Sequence, residues 1–277
     1  MAQAQTIRFD GQVALVTGAG RGLGAAYARL LAARGASVVV HDAGVAQDGS
    51  GFDGAVADAV VAEIAAGGGT AAACHENLEQ AEASARVVAF AIERFGRLDV
   101  LVSNAGLVVF ASVEETDAAL WRRMTAVGID APFHLVRAAL PQMRSQGYGR
   151  IVLTTSGRAM RAEDCVPGLS AYSATKMAQV GLMVGLAAEL QGLDIQVNAV
   201  SPVAATRVLR RSAPQLRPEL VAPGVAFLAS SACRKSGQVL TAAGGRFALA
   251  RWDGGAEWDL GGEPASIERF AAHWPEA

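Results

Sequence analysis

The sequence predicts a doubly wound α/β fold, in which a seven-stranded parallel sheet carries helices on both faces. Two observations lead to this class. Seven short apolar runs alternate with Ala- and Leu-rich stretches of helical periodicity, which is the pattern that βαβ units require. A glycine-rich turn also joins the first apolar run to the first helical stretch, at the place where such sheets bind their ligands.

Each strand is expected where an apolar run is short and ends at a turn signal. The runs are VALVT (13–17), SVVVH (37–41), TAAAC (70–74), LDVLVS (98–103), RIVLTT (150–155), IQVNAV (195–200) and QVLTA (238–242). The first helix is expected over 22–34, because Leu23, Tyr27 and Leu31 recur at helical spacing and Gly35 follows as a stop.

Composition and charge narrow the classes of function. The 277 residues are 52% hydrophobic and carry a formal net charge of −2. The length and the hydrophobic fraction fit a single domain spanning 1–277. The net charge shows none of the basic excess of a nucleic-acid-binding protein. No uncharged apolar run approaches the roughly 18 residues of a membrane span, and the N-terminus lacks a signal-peptide core. We therefore expect a soluble, cytoplasmic protein without nucleic-acid or membrane partners.

The cysteines give no sign of a disulfide framework or of a metal site. Cys74, Cys165 and Cys233 are widely separated, odd in number and free of CxxC spacing. Reduced thiols and no bound metal are expected.

Two segments interrupt the regular alternation. The glycine-rich stretch 43–54 is either a surface excursion or a loop beside a cofactor. The segment 201–218 combines prolines with four arginines, and it is either a lid over an active site or a solvated basic helix. Those arginines are Arg207, Arg210, Arg211 and Arg217. A C-terminal extension, 245–277, holds three of the four tryptophans and no recognisable chemical motif.

The turn TGAGRGLG (17–24) indicates a Rossmann-type dinucleotide site. Gly18, Gly22 and Gly24 permit a tight turn, close approach to a pyrophosphate, and close packing of the helix on the sheet. Asp42 ends the second strand at the spacing the fingerprint requires. A carboxylate there accepts hydrogen bonds from the adenosine ribose and repels a 2′-phosphate, which favours NAD over NADP. Arg21 could soften that preference by pairing with a phosphate.

The segment YSATK points to proton transfer. Tyr172 and Lys176 lie four residues apart on a predicted helix, so the phenol and the ammonium share one face. A nearby cation favours the phenolate and so makes tyrosine a better base near neutral pH.

Taken together, these motifs resemble the short-chain dehydrogenase/reductase family over nearly the whole chain. The matching elements are TGAGRGLG, Asp42, Asn104–Gly106 after the fourth strand, Ser156 after the fifth, YSATK, and Ser201–Pro202 after the sixth. The resemblance implies that Ser156 hydrogen-bonds the substrate oxygen and that Tyr172 takes or gives the hydroxyl proton. It also implies that Lys176 binds the nicotinamide ribose and lowers the pKa of the tyrosine.

The resemblance further implies a set of cofactor-binding residues. Asn77 and Leu78 match the family's adenine-contacting Asp-Val pair, with an amide in place of the carboxylate. The full set is Gly18, Arg21, Gly22, Leu23, Gly24, Asp42, Asn77, Leu78, Asn104, Ala105, Gly106, Tyr172, Lys176 and Pro202.

Within the family, three strings are similar to the branch formed by the hydroxyacyl-CoA dehydrogenase domains of multifunctional enzyme type 2. They are VVVHDAG, YGRIVLTTS and RPELVAPGVAFLASS. The branch implies a bulky apolar secondary alcohol or ketone as substrate, such as a 3-hydroxyacyl-CoA or a 17β-hydroxysteroid. The resemblance to the family as a whole implies a homodimer or homotetramer formed through helices around 110–145 and 172–190. No hydratase or sterol-carrier module is expected within the 277 residues.

Two departures from the family pattern concern the reaction itself. Gly128 stands where members commonly carry a relay asparagine, and sixteen positions separate Ser156 from Tyr172, more than usual. The additional residues fall in RAMRAEDCVPGL (158–169) and should border the substrate. Three alternatives therefore stay open: an NAD-binding module with little catalysis, an assembly partner, and a reductase of a different ketone class.

Overall fold

The structure is a computed structural model that describes residues 6–46, 49–205, 213–252 and 266–273. Its strands are β1 (Val13–Thr17), β2 (Ser37–His41), β3 (Thr70–Cys74), β4 (Val100–Ser103), β5 (Gly149–Thr154), β6 (Ile195–Val203), β7 (Val239–Ala243) and β8 (Arg246–Ala250). Its helices are α1 (Gly22–Ala33), α2 (Ala55–Ala66), α3 (Ala83–Phe95), α4 (Ala118–Thr125), α5 (Ala131–Gln146), α6 (Gly157–Met160), α7 (Ser170–Glu189), α8 (Ala222–Leu228) and α9 (Ile267–Ala271).

All eight strands belong to one sheet, in the order β3-β2-β1-β4-β5-β6-β7-β8. The first seven pair in parallel, and the order reverses direction between β1 and β4. This topology confirms the predicted doubly wound α/β fold. It also creates a crevice at the carboxyl ends of β1 and β4, where open sheets of this kind bind ligands.

The predicted count of seven strands was one too low. The strand β8 pairs antiparallel with β7, so that Ala243 faces Arg246 across a two-residue turn. Gly244 and Gly245 form that turn, and both have positive φ, at 55° and 77°. Consecutive residues with positive φ match the twist of a tight hairpin, and glycine adopts them without steric cost. The Gly-Gly pair between two apolar runs is thus the sequence signal for this strand.

Hydrophobic cores lie on both faces of the sheet, because side chains alternate along each strand. In β1, Ala14 and Val16 pack with α1, α2 and α8, whereas Val13 and Leu15 pack with α3, α5 and α7. A strand covered on both sides needs apolar residues throughout, and all five residues of β1 are buried. This explains why continuous apolar runs located the strands.

The helical stretch between α4 and α5 contains one π turn, at residues 126–130. An ideal Cβ on Gly128 would lie 2.6 Å from the Cβ of Thr175 on α7. Glycine therefore lets α7 approach this turn, and a side chain at position 128 would require α7 to move.

The two irregular segments predicted from the sequence, 201–218 and 43–54, lie partly outside the described residues. Arg207, Arg210 and Arg211 lie there, and Arg217 is exposed between two 3₁₀ turns, 214–216 and 218–220. The glycine-rich stretch 43–54 is described except for 47–48 and contains neither helix nor strand in its described part. Among the described helices, none combines the length and the apolar character needed to cross a bilayer.

Candidate active site

A cavity of about 750 Å³ opens at the carboxyl ends of the parallel strands. Every residue that the sequence nominated lines it, with the exception of Gly24. Most of them lie at the ends of neighbouring strands: Asp42 after β2, the glycine turn after β1, Asn104–Gly106 after β4, Ser156 after β5 and Pro202 near the end of β6. Strand order therefore places Asp42 towards one end of the cavity and Ser156 and Pro202 towards the other.

The glycine turn brings backbone close to backbone. Gly18 has a φ of 64°, and an ideal Cβ on it would lie 3.0 Å from the Cα of Ala105. A Cβ on Gly24 would overlap the carbonyl oxygen of Gly18. Gly24 thus acts beneath the cavity, by letting the start of α1 lie directly behind the turn.

Asp42 presents its carboxylate beside the glycine turn. Its Oδ2 accepts a hydrogen bond from the Gly20 N–H at 2.9 Å, and its Oδ1 accepts one from the Gly44 N–H at 2.8 Å. Two backbone donors fix the orientation of the carboxylate and leave further lone pairs on both oxygens. The guanidinium of Arg21 donates to the Val45 carbonyl at 3.4 Å, so it is drawn to the loop that follows Asp42.

Asn104 has a structural role at the junction of β1 and β4. Its Nδ2 donates to the carbonyls of Thr17 and Gly18 at 3.0 and 3.1 Å. The Thr17 hydroxyl in turn accepts the N–H groups of Asn104 and Ala105. These bonds tie the two strand ends together at the crevice. On the adjacent loop, Leu78 is buried and Asn77 accepts the Glu79 N–H.

Ser156 and Tyr172 lie together in the cavity. Ser156 caps α6, and its Oγ accepts the Arg158 N–H at 3.3 Å. Burial raises the pKa of the Tyr172 phenol above its usual value, while hydrogen bonding with Ser156 and the positive charge of Arg158 act in the opposite direction. The two hydroxyl groups are thus close enough to act on one oxygen atom.

Lys176 is 4% exposed and projects into the cavity from α7. Its Nζ donates to the Thr154 carbonyl at 3.0 Å and lies 5.8 Å from the centre of the Tyr172 ring. Burial lowers the pKa of this ammonium to about 8. The helical spacing of YSATK therefore places the cation beside the phenol, as the sequence predicted.

The surroundings of Gly128 differ from what an asparagine would provide. The Gln179 side chain donates to the Gly128 carbonyl at 3.1 Å and accepts the Thr154 N–H at 3.1 Å. It thereby joins the π turn to the same residue whose carbonyl receives Lys176. Gln179 was not predicted from the sequence, because a side chain that joins two backbone groups does not recur at any fixed spacing from other motif residues.

The segment 158–169 forms α6, a 3₁₀ turn and a connection to α7. As predicted, it borders the cavity, and its lining residues include Arg158, Arg161 and Asp164. Three further lining residues, Arg246, Phe247 and Ala248, lie on β8 and were not predicted. They were missed together with the strand that carries them.

The residues present fit a nicotinamide dinucleotide. The glycine turn and the start of α1 line the cavity, where N–H groups and the helix dipole favour a pyrophosphate. Asp42 offers oriented acceptors at one end, and Tyr172 and Lys176 lie at the other. The fold and the cavity together define the class as a nicotinamide-dependent α/β oxidoreductase.

Comparison with known families agrees with this class. A family model described as short chain dehydrogenase matches residues 12–215. A short-chain type dehydrogenase/reductase of Mycobacterium tuberculosis is 39% identical over 273 residues, covering 96% of this chain and 93% of the relative. The chain belongs to the short-chain dehydrogenase family and is an oxidoreductase.

The predicted similarity to multifunctional enzymes is also confirmed. The peroxisomal multifunctional enzyme type 2 of Drosophila melanogaster is 36% identical over 276 residues, covering 97% of this chain and 45% of that enzyme. The chain thus spans less than half the length of this relative.

Solved structures show the same fold with either form of the cofactor. A short-chain dehydrogenase from Mycobacterium avium superposes with a TM-score of 0.83 at 35% identity, covering 95% of this chain and 93% of that one. A 7α-hydroxysteroid dehydrogenase complexed with NADH and 7-oxo glycochenodeoxycholic acid has a TM-score of 0.78 at 31% identity, covering 88% and 98%. A metagenomic short-chain oxidoreductase in complex with NADP has a TM-score of 0.68 at 35% identity, covering 80% and 91%. Family membership therefore implies a nicotinamide cofactor without fixing its phosphorylation state.

Proposed function

We propose that this chain is an NAD-dependent dehydrogenase that transfers a hydride between the cofactor and a bulky apolar secondary alcohol or its ketone. The observation that carries the proposal is that one and the same cavity is lined by Asp42 on one side and by Ser156, Tyr172 and Lys176 on the other. A hydroxysteroid or a 3-hydroxyacyl thioester is the favoured substrate class. Apolar lining residues support it, among them Leu107, Val108, Phe110, Leu169 and Phe247.

The preference for NAD rests on the position of Asp42. Its carboxylate lies beside the glycine turn and is held there by two backbone N–H groups. A ribose with free hydroxyls can donate to this carboxylate, whereas a 2′-phosphate would meet a like charge at short range. Arg21, the cation that could offset this repulsion, is directed to the Val45 carbonyl.

In the oxidative direction, Ser156 and Tyr172 bind the substrate hydroxyl, and the Tyr172 oxygen accepts its proton. When bound, the nicotinamide supplies the acceptor for the hydride, which leaves the carbinol carbon with both electrons of its C–H bond. Lys176 stabilises the phenolate by its positive charge at the cavity floor. In the reductive direction, the Tyr172 hydroxyl gives the proton back to the carbonyl oxygen.

Replacement of Tyr172 by phenylalanine tests the proposal, because it removes the proton path with little change in packing. We expect NADH formation to fall by at least about a hundredfold, the low end of general acid–base contributions. The substrates are a panel of hydroxysteroids, 3-hydroxyacyl thioesters and cyclic alcohols. Tyr148→Phe is the matched control, since Tyr148 lies outside the cavity lining. Near-normal turnover by Tyr172→Phe would contradict the assignment.

A second candidate is an NAD-binding protein with little turnover, which the absence of a relay side chain at Gly128 favours. The same panel separates the two candidates when NAD binding is measured beside NADH formation. NAD binding without turnover on any substrate would support the second.

A further inference from the structure

Arg158 is a half-buried cation in the wall of the cavity, two residues after Ser156. Its backbone is fixed on both sides. The N–H donates to Ser156 Oγ at 3.3 Å, and the carbonyl accepts the Ser173 hydroxyl at 3.2 Å. Its guanidinium, in contrast, makes no ion pair or hydrogen bond with any residue that the structure describes.

The neighbouring arginine of the same segment is already compensated. Arg161 forms an ion pair with Asp164 and lies 3.9 Å from Glu163. At the other side of the cavity, Arg21 donates to the Val45 carbonyl. Arg246, on β8, lines the cavity but is exposed to solvent. Among the described residues of this wall, Arg158 is therefore the half-buried arginine whose guanidinium has no partner.

Charged side chains that lie partly out of water are ordinarily paired with a group of opposite charge. The location of Arg158 is also specific. Its charge lies near enough to Tyr172 to lower the pKa of the phenol against the effect of burial. A ligand group that pairs with Arg158 would accordingly lie close to the reacting carbon.

We propose that Arg158 binds a carboxylate of the substrate, so that the enzyme favours hydroxy acids or keto acids whose carboxylate lies a few bonds from the reacting carbon. This inference rests on the proposed dehydrogenase function and changes its favoured substrate from the thioester to a free acid, because a thioester carries no carboxylate for Arg158 to bind. The planar fork of guanidinium donors matches a carboxylate in a two-bond arrangement, and such charge-assisted pairs are stronger than neutral hydrogen bonds.

The pyrophosphate of the cofactor is not the expected partner of Arg158. The glycine turn that would hold it follows β1, whereas Arg158 follows β5, and β4 lies between these two strands. The remainder of the substrate would extend along the apolar side of the cavity, past Leu107 and Phe110.

The test compares 3-hydroxydecanoate with its methyl ester, which differ in charge and little in shape. The measured quantity is the ratio of kcat/KM for the acid to that for the ester. We expect the wild-type ratio to exceed about ten, and the ratio to fall by about 10- to 100-fold in Arg158→Met, from the strength of hydrogen bonds to charged groups. The matched control is Arg161→Met, which removes a guanidinium that is already paired and should leave the ratio within about threefold.

A binding measurement separates this inference from the proposed function. In the NADH complex, decanoate should raise the Tm more than decanamide does, and Arg158→Met should abolish the difference while Arg161→Met keeps it. Failure of the wild type to oxidise either alcohol would count against the proposed function for this substrate class, and the Tm comparison would still decide the role of Arg158. An unchanged acid-to-ester ratio, or weaker NADH binding in Arg158→Met, would overturn the inference.

Discussion

At the residue scale, the buried ammonium of Lys176 ties the chemistry to the stability of the fold. Burial lowers its pKa to about 8 in the folded chain, whereas an unfolded chain holds this proton up to its ordinary pKa of 10.5. Between these values the unfolded state binds more protons, so the contribution of Lys176 to the free energy of unfolding rises with pH. Below pH 8 the folded state holds a charge that burial disfavours.

Lys176→Met removes this charge while keeping a similar volume. We expect a Tm at pH 7 at least equal to that of the wild type, together with a loss of NADH formation of at least about a hundredfold. Denaturant unfolding at pH 8 and pH 10 should show less increase in stability than the wild type shows. Lys235→Met, at an exposed lysine, is the control. A Tm several degrees below that of the wild type would contradict the prediction.

Asp42→Ala tests the choice of cofactor. Loss of the carboxylate removes the acceptor for the ribose hydroxyls and the repulsion of a 2′-phosphate, so the preference for NAD over NADP should fall by at least about tenfold. The measurement is the ratio of kcat/KM for the two cofactors at one alcohol concentration. Asp53→Ala, in the exposed part of the following loop, should leave the ratio unchanged. An Asp42→Ala enzyme that keeps the wild-type preference would refute the role of this residue.

Single residues differ in how far the sequence predicts them. Tyr172 and Lys176 are predictable, because a fixed helical spacing brings them to one face. That Arg158 lacks a partner among the described residues is not predictable from the sequence. Arg161 lies three residues away, and only the structure shows which of the two arginines is paired. In the sequence, Gly128 indicates only that the relay asparagine is lost. In the fold, Thr175 occupies the space that a Cβ at position 128 would need.

At the scale of elements, one buried arginine joins the start of β5 to its neighbours. Arg150 is 1% exposed and donates to the carbonyls of Gly149, Asp194 and Ser230 at 2.8 to 3.0 Å. It also pairs with the Asp194 carboxylate at 2.7 Å and lies over the Tyr148 ring. The loop before β6 and the end of α8 are thus fixed to one strand.

Arg150→Met should lower the free energy of unfolding by about 2 to 4 kcal/mol, because it leaves buried carbonyls without donors. Arg150→Lys should restore only part of this loss, since one ammonium cannot reproduce the planar set of donors. The control Arg29→Met removes a surface pair with Glu63 and should cost less than about 1 kcal/mol. Chemical denaturation measures all three, and equal losses for Arg150→Met and Arg29→Met would argue against the network.

The elements of the parallel sheet follow from the sequence because strands buried on both faces require continuous apolar runs. For six of the seven predicted runs, both ends lie within two residues of the ends of the observed strand. The exception is β6, which continues to Val203. That extension passes through Pro202, which the strand rules disfavour. The antiparallel β8 is exposed at four of its five residues, so the rule for strands buried on both faces does not find it, and the Gly244–Gly245 turn is the signal that marks it.

At the scale of the whole molecule, large apolar side chains remain exposed on α4, α5 and α7. They are Trp121, Phe133, Met177 and Val184. These helices contact one another directly or through the π turn on one side of the sheet. Because exposed apolar surface of this kind is typical of interfaces, it supports the prediction of a homodimer or homotetramer through these helices.

Phe133→Asp combined with Val184→Arg should convert the assembly to monomers, which light scattering after size-exclusion chromatography would show. In a symmetric interface each subunit buries the introduced charges, so their desolvation cost destabilises the assembly twice. Phe52→Asp, at an exposed aromatic in the loop between β2 and α2, is the control. A wild-type protein that is monomeric would exclude this interface.

The single-domain organisation, the lid at 201–218 and the cytoplasmic location stay predictions.

The β7–β8 hairpin gives the protein a cavity wall that is built locally. Each parallel strand pairs with a segment that is distant in the sequence, whereas β8 folds back on β7 across two glycines and joins the sheet through short-range contacts. Phe247 and Arg246 therefore change the shape and charge of the cavity from outside the seven strands that carry the fold. We consequently expect that exchanging the five residues of β8, Arg246–Ala250, changes the substrate range while the seven parallel strands and the cofactor half of the molecule are left as they are.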